Sequence, residues 1–234
     1  MFGKLLSRWS GASRAQIAVE PPVDLPPEVL DLQSRRAELS SQEHLIQVYS
    51  AAECQSYTRA LRTFDDGRLF GLVALGNAND SNPYCLITRG VAAGMVMHFF
   101  HDDQPMVEFD GLPAFERFLR DLRAGAAHGT AAGERDAPVH PRQAELSAAI
   151  EHLRGYEDDG AASIMLVYLP MLAGDHRRLL HALCEHESVF VRQAVIEAIV
   201  RGRVTGSSDL LQILVVDVDA LVRNAARRAL GLSR

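Results

Sequence analysis

Residues 64–122 open with FDDGRLFGLVALGNANDSNPYCLIT (64–88) and close with LPAFERFLRDL (112–122), and their reading decides the fold. Short apolar runs at residues 69–75, 84–88, 94–100 and 105–109 are separated by Gly, Pro, Asn and Asp, the pattern of strands joined by turns. The first run follows Asp65, Asp66 and Gly67, residue types that tolerate turn backbone angles. The third run, Met95-Val96-Met97-His98-Phe99-Phe100, is apolar on both parities, which predicts a central strand covered on two sides. Phe115, Phe118, Leu119 and Leu122 then recur at helical spacing and predict a helix closing the core of an antiparallel or mixed sheet.

Upstream, prolines lead into a helical pattern over residues 28–39, with Val29, Leu32 and Arg36 on one face. Residues 45–49 (LIQVY) read as a short strand, and residues 53–62 as a helix carrying Tyr57, Ala60 and Leu61. Residues 1–24 read as a flexible N-terminal segment, in which Phe2, Leu5, Leu6 and Trp9 form either a frayed end or a short amphipathic foot. No apolar core there is long enough for a signal peptide, and the longest apolar run, residues 161–173, is too short for a bilayer and contains Pro170.

Downstream, residues 125–141 are small residues and prolines without periodicity, the composition of a linker. The expected organisation is therefore an α+β domain over residues 25–124 and an all-α domain over residues 142–234. The second domain repeats with a shift of 31 residues. Leu179, Leu180 and Leu183 fall on Leu210, Leu211 and Leu214. Val191, Arg192, Ala194, Ala198 and Ile199 fall on Val222, Arg223, Ala225, Ala229 and Leu230. In each unit the second helix has one apolar stripe, and its alanines permit close helix approach.

These units resemble HEAT-type helical repeats, whose second helix follows an Asp-x-x-x-x-Val-Arg pattern. Residues 217–223 (DVDALVR) match it in full through Asp217, Val222 and Arg223, whereas His186 stands where the earlier unit would have its aspartate before Val191 and Arg192. The resemblance implies an internal Asp–Arg ladder, and His186 leaves its continuity to be decided by the fold. Residues 143–153 and 161–172 are expected to form a degenerate preceding helix pair.

The chain has 234 residues and a formal net charge of −6, which argues against direct nucleic-acid binding, since phosphate is met by basic surface. Between residues 64 and 111 the acids Asp65, Asp66, Asp80, Asp102, Asp103, Glu108 and Asp110 face two bases, a local balance of −5. Either these acids simply populate turns, or they form an acidic surface for a basic protein partner. Cys54, Cys85 and Cys184 are isolated, so neither a disulfide framework nor a CxxC site is indicated, and a reducing, cytoplasmic setting is expected. His98 and His101 with Asp102 and Asp103 do not converge as metal ligands, because His98 and His101 differ in strand parity. His176, His181 and His186 spread around a helix, and no glycine pattern builds a nucleotide loop. No metal, cofactor or catalytic residue is expected.

Residues 25–122 as a whole resemble the SUKH superfamily, through LPPEVLDL (25–32), FDDGRLFGLVALGN (64–77), NANDSNPYCLIT (77–88), MVMHFFHDD (95–103) and FDGLPAFERFLRDL (109–122). The resemblance implies a non-enzymatic α+β domain. Many bacterial members are immunity proteins that bind cognate polymorphic toxins, frequently nucleases, inside the producing cell. An acidic inhibitor of that kind would cover the toxin's basic active surface. The alternatives are an adaptor that recognises its partner through the helical repeats, and an unrecognised enzyme.

Overall fold

The computed structural model describes residues 23–40, 46–78, 80–100, 104–125, 136–156, 159–205 and 207–232. Helix α1 (Pro27–Ser34) starts at a proline whose missing N–H costs nothing in a first turn, and α2 (Arg36–Leu39) follows after a break at Arg35. Strand β1 (Gln47–Val48) leads to α3 (Ala51–Leu61). There Ser50 and Glu53 form a reciprocal capping box: Glu53 N–H donates to Ser50 Oγ at 3.3 Å, and Ser50 N–H to Glu53 Oε2 at 2.7 Å.

Residues 65–67, expected as a turn, instead begin the short helix α4 (Asp65–Leu69). Gly67 is needed there for space rather than for a positive φ. A Cβ at that position would lie 2.0 Å from the Leu61 carbonyl oxygen, because α4 folds directly against the end of α3. Gly67→Ala is therefore expected to destabilise the protein by about 1–3 kcal/mol, as overpacking against backbone does, read as a lower denaturant midpoint. The first apolar run accordingly becomes strand only at β2 (Val73–Asn77), with Leu69 spent on the helix.

Strands β3 (Tyr84–Leu86), β4 (Val96–His98) and β5 (Met106–Phe109) complete a five-stranded antiparallel sheet in the order β1-β2-β3-β4-β5. Each strand pairs with its sequence neighbour, β2 to β5 through loops and β1 to β2 through α3 and α4. Residues 95–99 are all buried, so β4 is covered on both faces as its composition predicts. Helix α5 (Leu112–Arg123) closes the core with Phe115, Phe118, Leu119 and Leu122, and Phe109 and Phe115 meet edge-on with centroids 5.3 Å apart. Arg35 at the α1–α2 break donates to both Glu116 carboxylate oxygens, at 2.6 and 2.7 Å, tying the N-terminal helices to α5.

The remainder is helical: α6 (Gln143–Leu153), α7 (Asp159–Tyr168) running into a 3-10 turn (Leu169–Met171), α8 (Arg177–Cys184), α9 (Val189–Val200), α10 (Leu210–Leu214) and α11 (Ala220–Ala229). The sheet and helical parts share one continuous buried core. Phe70 meets Tyr168 edge-on at 6.1 Å, and Gln104 Nε2 donates to the Leu166 carbonyl at 2.7 Å. Within the stretch read as a linker, Ala137 and His140 are buried. His140 Nδ1 accepts from the Arg142 N–H at 3.1 Å, so its Nε2 carries the proton donated to the Val91 carbonyl at 3.0 Å. No helix among the described residues is long and apolar enough to cross a membrane.

Candidate functional site

The sheet register sorts the acids of residues 64–111. Tyr84 at the start of β3 pairs with His98 at the end of β4, which places the β2–β3 connection, with Asp80, at that end of the sheet. Val96 pairs with Phe109, so Asp110 emerges at the opposite end. The Phe64 and Phe99 rings lie 5.9 Å apart, which brings Asp65 and Asp66 to the Asp80 end. Asp102 and Asp103 lie outside the described residues.

Glu108 is not on the surface at all. Its side chain is fully buried, with Oε1 at 3.2 Å from His98 Nδ1, and the other ring nitrogen is 3.0 Å from the Asn82 carbonyl oxygen. Both ring nitrogens therefore face oxygen, and both contacts are hydrogen bonds only when the pair holds one proton beyond the imidazole's own. Tyr84 stacks on the imidazole at 4.2 Å. This pair lies inside the sheet, and the expectation that Glu108 belongs to an acidic surface is corrected.

Two of the remaining acids, Asp65 and Asp66, line a recess of about 310 Å³ where the sheet end meets α7. Asp65, Asp66 and Asp159 stand on its rim, and Phe64, Phe99 and Phe100 form its aromatic wall. Asp65 is held by Arg68 one helical turn on. Burial, reinforced by neighbouring Asp65, pushes the Asp66 carboxyl up, while a hydrogen bond with Ser163 of α7 opposes the rise. Asp80 accepts the Asn82 N–H at 3.0 Å, the ordinary work of an Asx turn. Carboxylates beside aromatic faces suit a cationic side chain, through charge and through the ring quadrupole. Asp159 and Ser163 carry no local signal that could have found them, since only the docking of α7 brings them beside α4.

The helical part has its own polar feature. Arg192 Nε and Nη2 donate to Asp217 Oδ2 and Oδ1 at 2.7 and 3.0 Å, and its Nη1 donates to the His186 and Glu187 carbonyls at 2.6 and 2.9 Å. Asp217 Oδ1 also accepts the Asp219 N–H at 2.7 Å. In the earlier unit His186 Nδ1 plays the same part, accepting the Ser188 N–H at 3.0 Å. Burial, aided by nearby Arg192, lowers the His186 imidazole below its ordinary range and favours the neutral, accepting ring. The polar rung thus joins the two units, with His186 replacing the aspartate as turn acceptor. Val191, Ala194, Val222 and Ala226 are buried in the stripe, and Ala225 is half-buried.

Cys54, Cys85 and Cys184 are buried free thiols, and burial pushes Cys54 and Cys184 each up to about 11. Among the described residues no group of His, Cys, Asp and Glu converges as a metal site. No protein-family model, curated protein or solved structure gives a significant match to this chain.

Proposed function

We propose that the chain is a non-catalytic binding protein of the immunity type. In this reading a SUKH-like sheet domain, followed by HEAT-like repeats, neutralises a cognate toxin by covering its basic active surface. The observation that carries the reading is the recess between α4 and α7, where Asp65, Asp66 and Asp159 surround an aromatic wall. A basic side chain of the partner would satisfy both its charge and its rings. Asp80, at the same end of the sheet, extends the negative potential. Glu108 contributes nothing to it, and Asp110 faces away.

The test uses a toxin module, where the reading frame next to this protein's own encodes one, and the lack of any such module would count against the reading. The purified chain is expected to inhibit that module at one-to-one stoichiometry. The triple variant Asp65→Lys, Asp66→Lys and Asp80→Lys should keep the wild-type circular dichroism, melt somewhat lower because half-buried Asp66 loses its Ser163 hydrogen bond, and bind at least about tenfold more weakly, with a changed salt dependence. Equal inhibition by the triple variant would remove the acidic recess from the interface. A wild-type chain that leaves the module fully active would remove the immunity reading itself. Deleting residues 142–234 is no substitute, because the shared core would be torn open.

A further inference from the structure

The polar rung that joins the two helical units has a second, unfilled copy. Arg223 stands 31 residues after Arg192, and its Nη1 donates to the Asp217 and Val218 carbonyls at 2.7 and 2.8 Å, the same anchoring that Arg192 Nη1 makes on His186 and Glu187. In Arg192 the remaining Nε and Nη2 close as a fork on the carboxylate of the following unit. In Arg223 the Nε and Nη2 have no acceptor among the described residues. Its backbone anchoring thus holds the guanidinium in the posture of a rung, near enough to Asp217 to help lower that carboxyl but with no carboxylate closing its fork.

The apolar stripe around it is unfinished in the same direction. Ala194, Ala198 and Ile199 of α9 are buried, whereas their counterparts Ala225 and Ala229 of α11 and Leu230 just after it are only half-buried. Arg227 and Arg228 make the last turn of this helix basic, and Leu221 in its first turn is exposed. A fixed guanidinium fork beside an unfinished apolar stripe fits one kind of occupant. We infer that the outward edge of α11 docks a partner helix whose N-terminal turn carries an aspartate or glutamate and whose face carries an apolar stripe, the Arg223 fork closing on that carboxylate. A second copy of this chain is the poorer fit, because its Asp217 is already bonded to its own Arg192 at 2.7 and 3.0 Å. Two α11 edges brought together would oppose arginine to arginine.

The probe is a synthetic peptide copying residues 208–232, in which the Asp217 carboxylate has no Arg192 to hold it. A lactam between Asn224→Lys and Arg228→Asp, both exposed positions, holds it helical. Titrated into the full chain, it is expected to bind saturably and to shift the Arg223 Nε–Hε resonance while that of Arg192 stays in place. The Asp217→Asn peptide, and separately the Arg223→Met chain, should each raise Kd by about tenfold or more, the scale of a lost charge-assisted pair. An Arg120→Met chain, altered on the distant helix α5, should bind as wild type. Equal affinity for the Asp and Asn peptides, an unmoved Arg223 resonance, or no saturable binding of the helical peptide would each overturn the inference. Because the resonance is read on the wild-type chain, a folding defect in Arg223→Met would leave the test intact.

Discussion

Glu108→Ala is expected to lower the unfolding free energy by about 3–5 kcal/mol, the combined scale of leaving a buried polar group unpaired and of the cavity left by the removed side chain. The substitution leaves His98 Nδ1 facing a void in the middle of the sheet, at a residue with no solvent exposure. Water cannot easily replace the lost oxygen, because Tyr84 and Phe100 lie against the imidazole with centroids 4.2 Å away in each case. Glu108→Gln separates charge from hydrogen bonding. A neutral amide can donate to Nδ1 while Nε2–H donates to the Asn82 carbonyl, so this variant should stay within about 1 kcal/mol of wild type. Urea unfolding of the three proteins decides the matter, and a cost below about 1 kcal/mol for Glu108→Ala would mean the pair does not hold β4 to β5.

Arg192→Leu should cost a similar amount, about 3–5 kcal/mol, since it strands the buried Asp217 carboxylate and removes four hydrogen bonds at once. The double variant Arg192→Leu with Asp217→Leu is expected to recover part of that loss, because no unpaired charge remains. The pH dependence gives an independent reading. Burial alone would raise the Asp217 carboxyl, but the hydrogen bonds from Arg192 and the Asp219 N–H outweigh it and hold the group below its ordinary value of 3.8. A carboxyl depressed in the folded state contributes stability that is present above its unfolded value and is lost as pH falls through the folded one. Stability of the wild type should therefore decline below about pH 4 partly on this account, and Arg192→Leu should show a shallower acid limb. An unchanged acid limb would mean that Asp217 is not held by Arg192 in solution.

Both large effects fall on residues whose partners lie far along the chain or across a strand pair. His98 was visible as part of a strand, but its partner depended on the β4–β5 register, in which a shift of one residue would turn Glu108 to the opposite face. Composition therefore assigned Glu108 to an acidic surface, and pairing moved it to the interior. Asp65 and Asp66 had the local chemistry of a turn. The close approach of α4 to the Leu61 carbonyl, which only a glycine at position 67 admits, made them the start of a helix instead.

The α+β and all-α halves, the strands, the helix that closes the sheet and the 31-residue repeat are legible in the chain alone, though α4 is not, because apolar periodicity and turn chemistry are local properties. The sequence also marked Asp217, Val222 and Arg223 as a framework. Tertiary structure alone decided that the two halves share one core, that Asp159 joins Asp65 and Asp66 at a recess, and that the fork of Arg192 is filled while that of Arg223 stands open. Those facts depend on which distant surfaces meet, and no local pattern encodes a contact between residues that are brought together only by folding.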